Sequence, residues 1–168
     1  MGMSPYVRTI RKHLGHARLL LPSVGGIVRD VEDRILLVQV RDDGTWTTPG
    51  GSIEMTDTPA DAVVREVWEE TGLLVSPTRV LAVLGGPAFV VHYPNGDETQ
   101  YVATVFECEV CGGELRQRGD GGDEVQAARF VSQDEAGDLN LTPWLRPVLS
   151  RFYQRDAMWF EPPTWRPA

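Results

Sequence analysis

The chain has 168 residues, and its 16 lysines and arginines against 24 aspartates and glutamates leave a net charge of −8. One domain is expected, residues 1–168, long enough to bury a core without a disulfide or metal staple. The acidic balance counts against coating of duplex nucleic acid, which needs a basic footprint. No membrane span is expected either: the longest nearly apolar stretch, residues 80–91, is cut by Gly85, Gly86 and Pro87 and falls short of the roughly 20 residues required.

Residues 4–18 are basic and place Tyr6, Ile10 and Leu14 four apart, which predicts a helix with Arg8, Arg11, Lys12 and Arg18 in solvent, contact with phosphates or a partner subunit being the alternative. His13 and His16 lie on it without a third ligand nearby and read as surface histidines. Residues 19–29 and 34–40 read as strands, and Trp46 opens a short extended piece ending at Pro49, Gly50 and Gly51. The period then changes. Thr58 caps a helix over 58–71, with Pro59 at its first position, Asp61 in a capping box and Gly72 just past its end.

Strands follow at 79–84, 88–93 and 99–110, with Pro94, Asn95, Gly96 and Asp97 as a hairpin turn. Residues 118–123 form a loop and 124–131 another strand. Thr142 and Pro143 open a last helix to about Tyr153, and 157–168 form an extended tail. Cys108 and Cys111 make a single C-x-x-C without the second pair a zinc site needs. They read as two reduced thiols at a strand end, in keeping with a cytoplasmic location.

The chemistry concentrates in residues 51–73. Glu66, Glu69 and Glu70 stand at i, i+3 and i+4, which puts three carboxylates on one helical face. Like charges at that spacing repel, and the C-terminal half of a helix disfavours negative charge. Hard divalent cations seek clustered carboxylate oxygens, and Mg²⁺ shares its coordination with substrate phosphates. Arg65 lies beside them, within reach of Asp57 or Glu54.

The stretch resembles the signature of the Nudix hydrolase family. Gly51, Arg65, Glu66, Val67, Glu69, Glu70, Gly72 and Leu73 match it at the right spacing, and Asp57 stands where the family has its first glutamate. The resemblance implies an α/β/α sandwich with a mixed sheet, and Mg²⁺-dependent hydrolysis of a diphosphate bond in a nucleotide-like compound. Mn²⁺ is the substitute cation. It implies Glu66, Glu69, Glu70 and the Gly50 carbonyl as metal ligands, Glu66 or Glu69 as general base, and Arg65 as the residue that orients the carboxylates. Weaker candidates for substrate contact are Trp46, which core packing also explains, His92 and Glu124. A homodimer is open, with Trp144, Trp159 and the tail as packing elements. The rival reading is a non-catalytic nucleotide-binding module on the same fold.

Overall fold

Alternation along the central strands divides the apolar residues between two faces. Ile35 and Leu37 join one buried cluster, while Leu36 and Val38 join the other, as the two-residue period of a strand dictates. The computed structural model describes residues 4–116, 125–155 and 157–164. In chain order it contains α1 (Pro5–Leu14), β1 (Leu19–Arg29), β2 (Ile35–Val40), β3 (Trp46–Thr47), β4 (Gly50–Ser52) and α2 (Pro59–Thr71). There follow β5 (Leu73–Leu84), a 3-10 turn (Pro87–Phe89), β6 (Val90–His92), β7 (Glu98–Gly113), β8 (Val125–Val131), α3 (Gln133–Asp138), α4 (Leu145–Tyr153) and β9 (Trp159–Phe160).

The sheet is mixed, in the order β3-β2-β1-β7-β5-β9, with β4 on β1, β6 on β7 and β8 on β2. Its spine is the parallel pairing of β1 with β7, from Leu19 opposite Thr99 to Arg29 opposite Glu109. Helix α4 covers one face: Leu145, Val148, Leu149 and Phe152 pack with Ile27, Leu81 and Val105. Helix α2 covers the other, where Ala62, Val63 and Val67 pack with Val24 and Val28. This is the expected α/β/α sandwich.

Helix α2 begins and ends as its sequence predicts. The Thr58 hydroxyl accepts from the Asp61 N–H at 3.1 Å, and the Asp61 carboxylate returns a contact to the Thr58 backbone. Gly72 closes the helix at φ +75°, donating its N–H to the Trp68 carbonyl.

Several expectations need correction. The strand expected at 79–84 begins at Leu73 and runs through Pro77 with register shifts on either side of it. Residues 87–89 form a 3-10 turn instead of strand. The last helix starts at Leu145, so Thr142 does not cap it; its carbonyl accepts the Leu145 N–H instead. Helix α3, not expected, is announced by a capping box between Ser132 and Glu135. Cys108 and Cys111 are free thiols within β7, one buried and one exposed. Burial, with the Glu107 charge, pushes the Cys108 thiol up to about 12, the opposite of an activated thiol.

Helix α1 ends at Leu14 and buries none of its residues, so polar contacts hold it. Arg11 is not solvated as expected: its side chain is 8% exposed. It donates to the carbonyls of Gly15, Ala17 and Glu98 and to the Thr99 hydroxyl. His16 Nδ1 meets Asp97 Oδ1 at 2.7 Å, and Arg18 pairs with Glu98. The His16 hydrogen bond, opposed by burial and helped by Asn95 and Arg11, holds the Asp97 carboxyl below the usual carboxylate range.

Gly72→Ala tests the helix stop. A Cβ there would sit 2.6 Å from the Glu114 carbonyl oxygen, and a left-handed residue with a side chain costs about 1–2 kcal/mol. The expected result is a lower midpoint in chemical denaturation with an unchanged slope.

Candidate active site

The turn between β4 and α2 brings the signature residues against β1. Strand β4 pairs with β1 through Ser23–Ser52, Val24–Gly51 and Gly25–Gly50, which lays the backbone of residues 50–52 along the face of α2. That approach requires glycine at two positions. At Gly50 a Cβ would strike the Val24 carbonyl. At Gly51 it would lie 2.6 Å from the Glu66 carboxyl carbon. The missing side chain makes the cradle in which the Glu66 carboxylate sits.

Arg65 ties this cradle together. Its Nε and Nη2 both donate to Asp57 Oδ2, at 3.0 and 2.9 Å. Nη2 also donates to the Ser52 carbonyl at 3.1 Å. Nη1 donates to Glu66 Oε1 at 2.8 Å and to Glu69 Oε2 at 3.2 Å. Asp57 therefore fills the place of the signature glutamate with its shorter side chain. Burial acts to lower the Arg65 pKa, but the hydrogen bonds and charges of Asp57 and Glu66 outweigh it and hold the guanidinium above its ordinary range.

The three glutamates differ in surroundings. The Glu66 side chain is 6% exposed and that of Glu69 is 38% exposed. Glu70 reaches across to β4, where its Oε2 accepts from the Gly50 N–H at 3.1 Å. All three, with Gly50, Gly51 and Glu54, line a single cavity of about 970 Å³, near the upper end of small-molecule sites.

Three carboxylates and a backbone carbonyl form a set of hard oxygen donors, the kind that Mg²⁺ and Mn²⁺ accept. Among the described residues, no three carboxylate, imidazole or thiol groups converge closely enough to hold a cation in this conformation. Arg65 takes an oxygen of Glu66 and one of Glu69, and the Gly50 amide takes one of Glu70. By donor type and by the shared cavity, the residues fit a divalent cation.

The remaining candidates lie apart. Trp46 packs beside the α4-side cluster under the Arg129 guanidinium, 5.2 Å from its ring; its neighbours Thr47 and Thr48 reach the cavity. His92, on β6, is largely exposed and faces Glu98. Glu124 and the loop around it lie outside the described residues. Arg11, weighed in the sequence as a phosphate contact but read first as solvated, lines the cavity; sequence reasoning missed Tyr93, Tyr101 and Arg116, which come from segments far from the signature. Nothing in their local pattern marks them. Trp144, read as a packing residue, also lines the cavity, and its ring lies 6.1 Å from that of Phe89.

A family model, the NUDIX domain, matches residues 19–152. The chain belongs to the Nudix family. It is 35% identical over 116 residues to a MutT-like protein of Streptomyces ambofaciens, covering 69% of this chain and 66% of that one. It is 34% identical over 126 residues to an ADP-ribose pyrophosphatase of Methanocaldococcus jannaschii, covering 73% and 64%. The chain thus spans slightly less than two thirds of the length of these curated relatives. The crystal structure of an ADP-ribose pyrophosphatase from Streptococcus suis superposes with a TM-score of 0.60 at 28% identity, over 84% of this chain and 96% of that one. Helix α1 precedes the residues that the Nudix model matches.

Gly51→Ala tests the cradle. The added methyl must displace the Glu66 carboxylate. The expected result, for the activity proposed below, is a fall in turnover of about 100-fold or more, with the far-ultraviolet dichroism of the folded protein retained.

Proposed function

We propose that the chain hydrolyses the pyrophosphate bond of a nucleoside diphosphate derivative, with Mg²⁺ as cofactor and Mn²⁺ as substitute. The observation that carries this reading is the placement of Glu66, Glu69 and Glu70 around one cavity, opposite the Gly50 and Gly51 backbone. A divalent cation, when bound, neutralises charge on phosphate oxygens and acidifies water. Glu66, Glu69, Glu70 and the Gly50 carbonyl would hold it.

The chain's own groups divide the remaining work. Arg65 fixes Glu66 and orients Glu69 through Nη1. Glu69 is the carboxylate of that pair open to solvent, so it is our choice for the general base. It takes a proton as a water oxygen bonds to phosphorus and the anhydride P–O bond breaks. The leaving phosphate departs with that bond's electron pair.

Names of relatives put ADP-ribose first among substrates to test. Nucleotide sugars and nucleoside triphosphates belong in the same panel. The net charge of −8 supports a small-molecule substrate over a nucleic-acid duplex. No helix among the described residues is long and apolar enough to cross a membrane, and two free thiols support a reducing compartment, the cytoplasm. Strands β1 and β2 feed both buried clusters, which supports one domain with residues 1–18 as an added helical segment.

The test is product release from that panel with Mg²⁺, with Mn²⁺ and with EDTA, for the wild type, Glu66→Gln and Glu70→Gln. Turnover is expected only with metal. Each variant is expected to lose roughly 10²- to 10⁴-fold in kcat. If both variants keep full turnover, the assigned site is wrong. If every form binds nucleotide and none hydrolyses it, the non-catalytic module stands in its place.

A further inference from the structure

Helix α1 lies outside the family match, yet Ser4, Val7 and Arg11 line the same cavity as the glutamates. Its position along the sheet follows from the register. Arg11 is bonded to Glu98 and Thr99, and Thr99 stands opposite Leu19 at the start of β1. The glutamate end lies where Ser52 and Gly50 stand opposite Ser23 and Gly25. Four to six residues of strand separate the two ends, about 13–20 Å at 3.3 Å per residue. A bare pyrophosphate occupies one end of such a span; a diphosphate carrying organic groups reaches both.

Between the ends the wall changes character. At the α1 end it presents Val7 and the phenols of Tyr93 and Tyr101, whose hydroxyls meet at 2.7 Å. Arg11 contributes position and no free charge: its side chain is 8% exposed, its Nη1 and Nη2 donate to four protein oxygens, and its buried Nε pairs with Asp97 Oδ2 at 3.5 Å without a hydrogen bond. Asp97 in turn accepts from His16 and Asn95. Because α1 buries no residue of its own, this polar latch decides where Val7 stands.

We propose that α1 is a specificity element of the site. Latched by Arg11 to the β6–β7 hairpin, it contacts the organic group of the substrate farthest from the glutamates. It sets affinity for that group and takes no part in the hydrolytic step. Arg11 is a positioning residue acting through Val7. The inference rests on the proposed activity for its substrate class.

The experiment measures ADP-ribose turnover with Mg²⁺, together with inhibition by inorganic pyrophosphate and calorimetric binding of ADP-ribose. The variants are Val7→Trp, which fills the cavity from α1 with the latch intact, Arg11→Ala, which releases the latch, and Lys12→Ala, at an exposed position of α1. Val7→Trp and Arg11→Ala are expected to raise KM and the dissociation constant for ADP-ribose at least fivefold. In both, kcat and the pyrophosphate inhibition constant stay within twofold, and Lys12→Ala matches the wild type. A merely structural role for α1 would move kcat and pyrophosphate inhibition as well, and that result overturns the proposal. So does an unchanged KM in both variants of an active enzyme. If the wild type binds ADP-ribose without hydrolysing it, the activity fails while the binding constants still decide the role of α1. If it does neither with ADP-ribose, the same constants are measured with the nucleotide sugar or nucleoside triphosphate it does bind or hydrolyse, and if it binds and hydrolyses none of them, both readings fall.

Discussion

A buried carboxylate is costly unless a cation and hydrogen bonds meet it, and losing its partner then leaves an uncompensated charge worth about 3–5 kcal/mol. Glu66 is such a group, and Arg65 meets it at 2.8 Å. The same guanidinium reaches Asp57, the Ser52 carbonyl and Glu69. One side chain therefore fixes the turn before α2, the end of β4 and two of the three helix glutamates. Arginine suits this task because its planar fork offers several donors in fixed directions and holds its charge when partly buried. Asp57 enters the network with its shorter side chain because both Nε and Nη2 converge on a single one of its oxygens.

The second constraint is the parallel pairing of β1 with β7. It spans all of β1, so a single strand carries the backbone opposite Gly50 and Gly51 and the backbone opposite Thr99. The cavity follows that strand. The glutamate end and the α1 latch are thereby set on one track, so that, on the proposed roles, the chemistry and the selection of substrate would be free to vary separately. This separation is how one fold serves many substrates.

Legibility in the sequence followed the range of the interactions involved. Helix α2 was readable from end to end because its caps and its apolar face are local, lying within a few residues of what they stabilise. The glutamate triplet was readable for the same reason, as helical spacing alone puts the three on one face. Strand β5 was read too short: it runs through Pro77, which sits between register shifts, where the ladder is already irregular. Thr142 and Pro143 imitate a helix start, but the chain needs three more residues before Leu145 turns into the core. Arg11 was read as solvated because its local partners, the backbone carbonyls of Gly15 and Ala17, leave no mark in the sequence. Its partners Asp97, Glu98 and Thr99 lie more than eighty residues away, and only the fold brings them together.

Electrostatics link these observations. The cavity carries Glu54, Glu66, Glu69 and Glu70, and its cationic lining among the described residues is Arg11 and Arg116. Arg11 spends its Nη1 and Nη2 donors on the hairpin and on the end of α1. Arg116 donates to the carbonyls of Trp68 and Glu69 at the C-terminal end of α2, where the helix dipole favours a positive charge. Both cations thus serve the protein's own framework. A diphosphate entering an acidic chain through this cavity meets a surplus of negative charge at the glutamate end. Side chains alone do not offset that repulsion, whereas a divalent cation shared between the glutamates and the phosphate oxygens does. On the proposed activity, the same glutamates that would repel the substrate would be the donors for its counterion, and affinity for the diphosphate would be conditional on the metal.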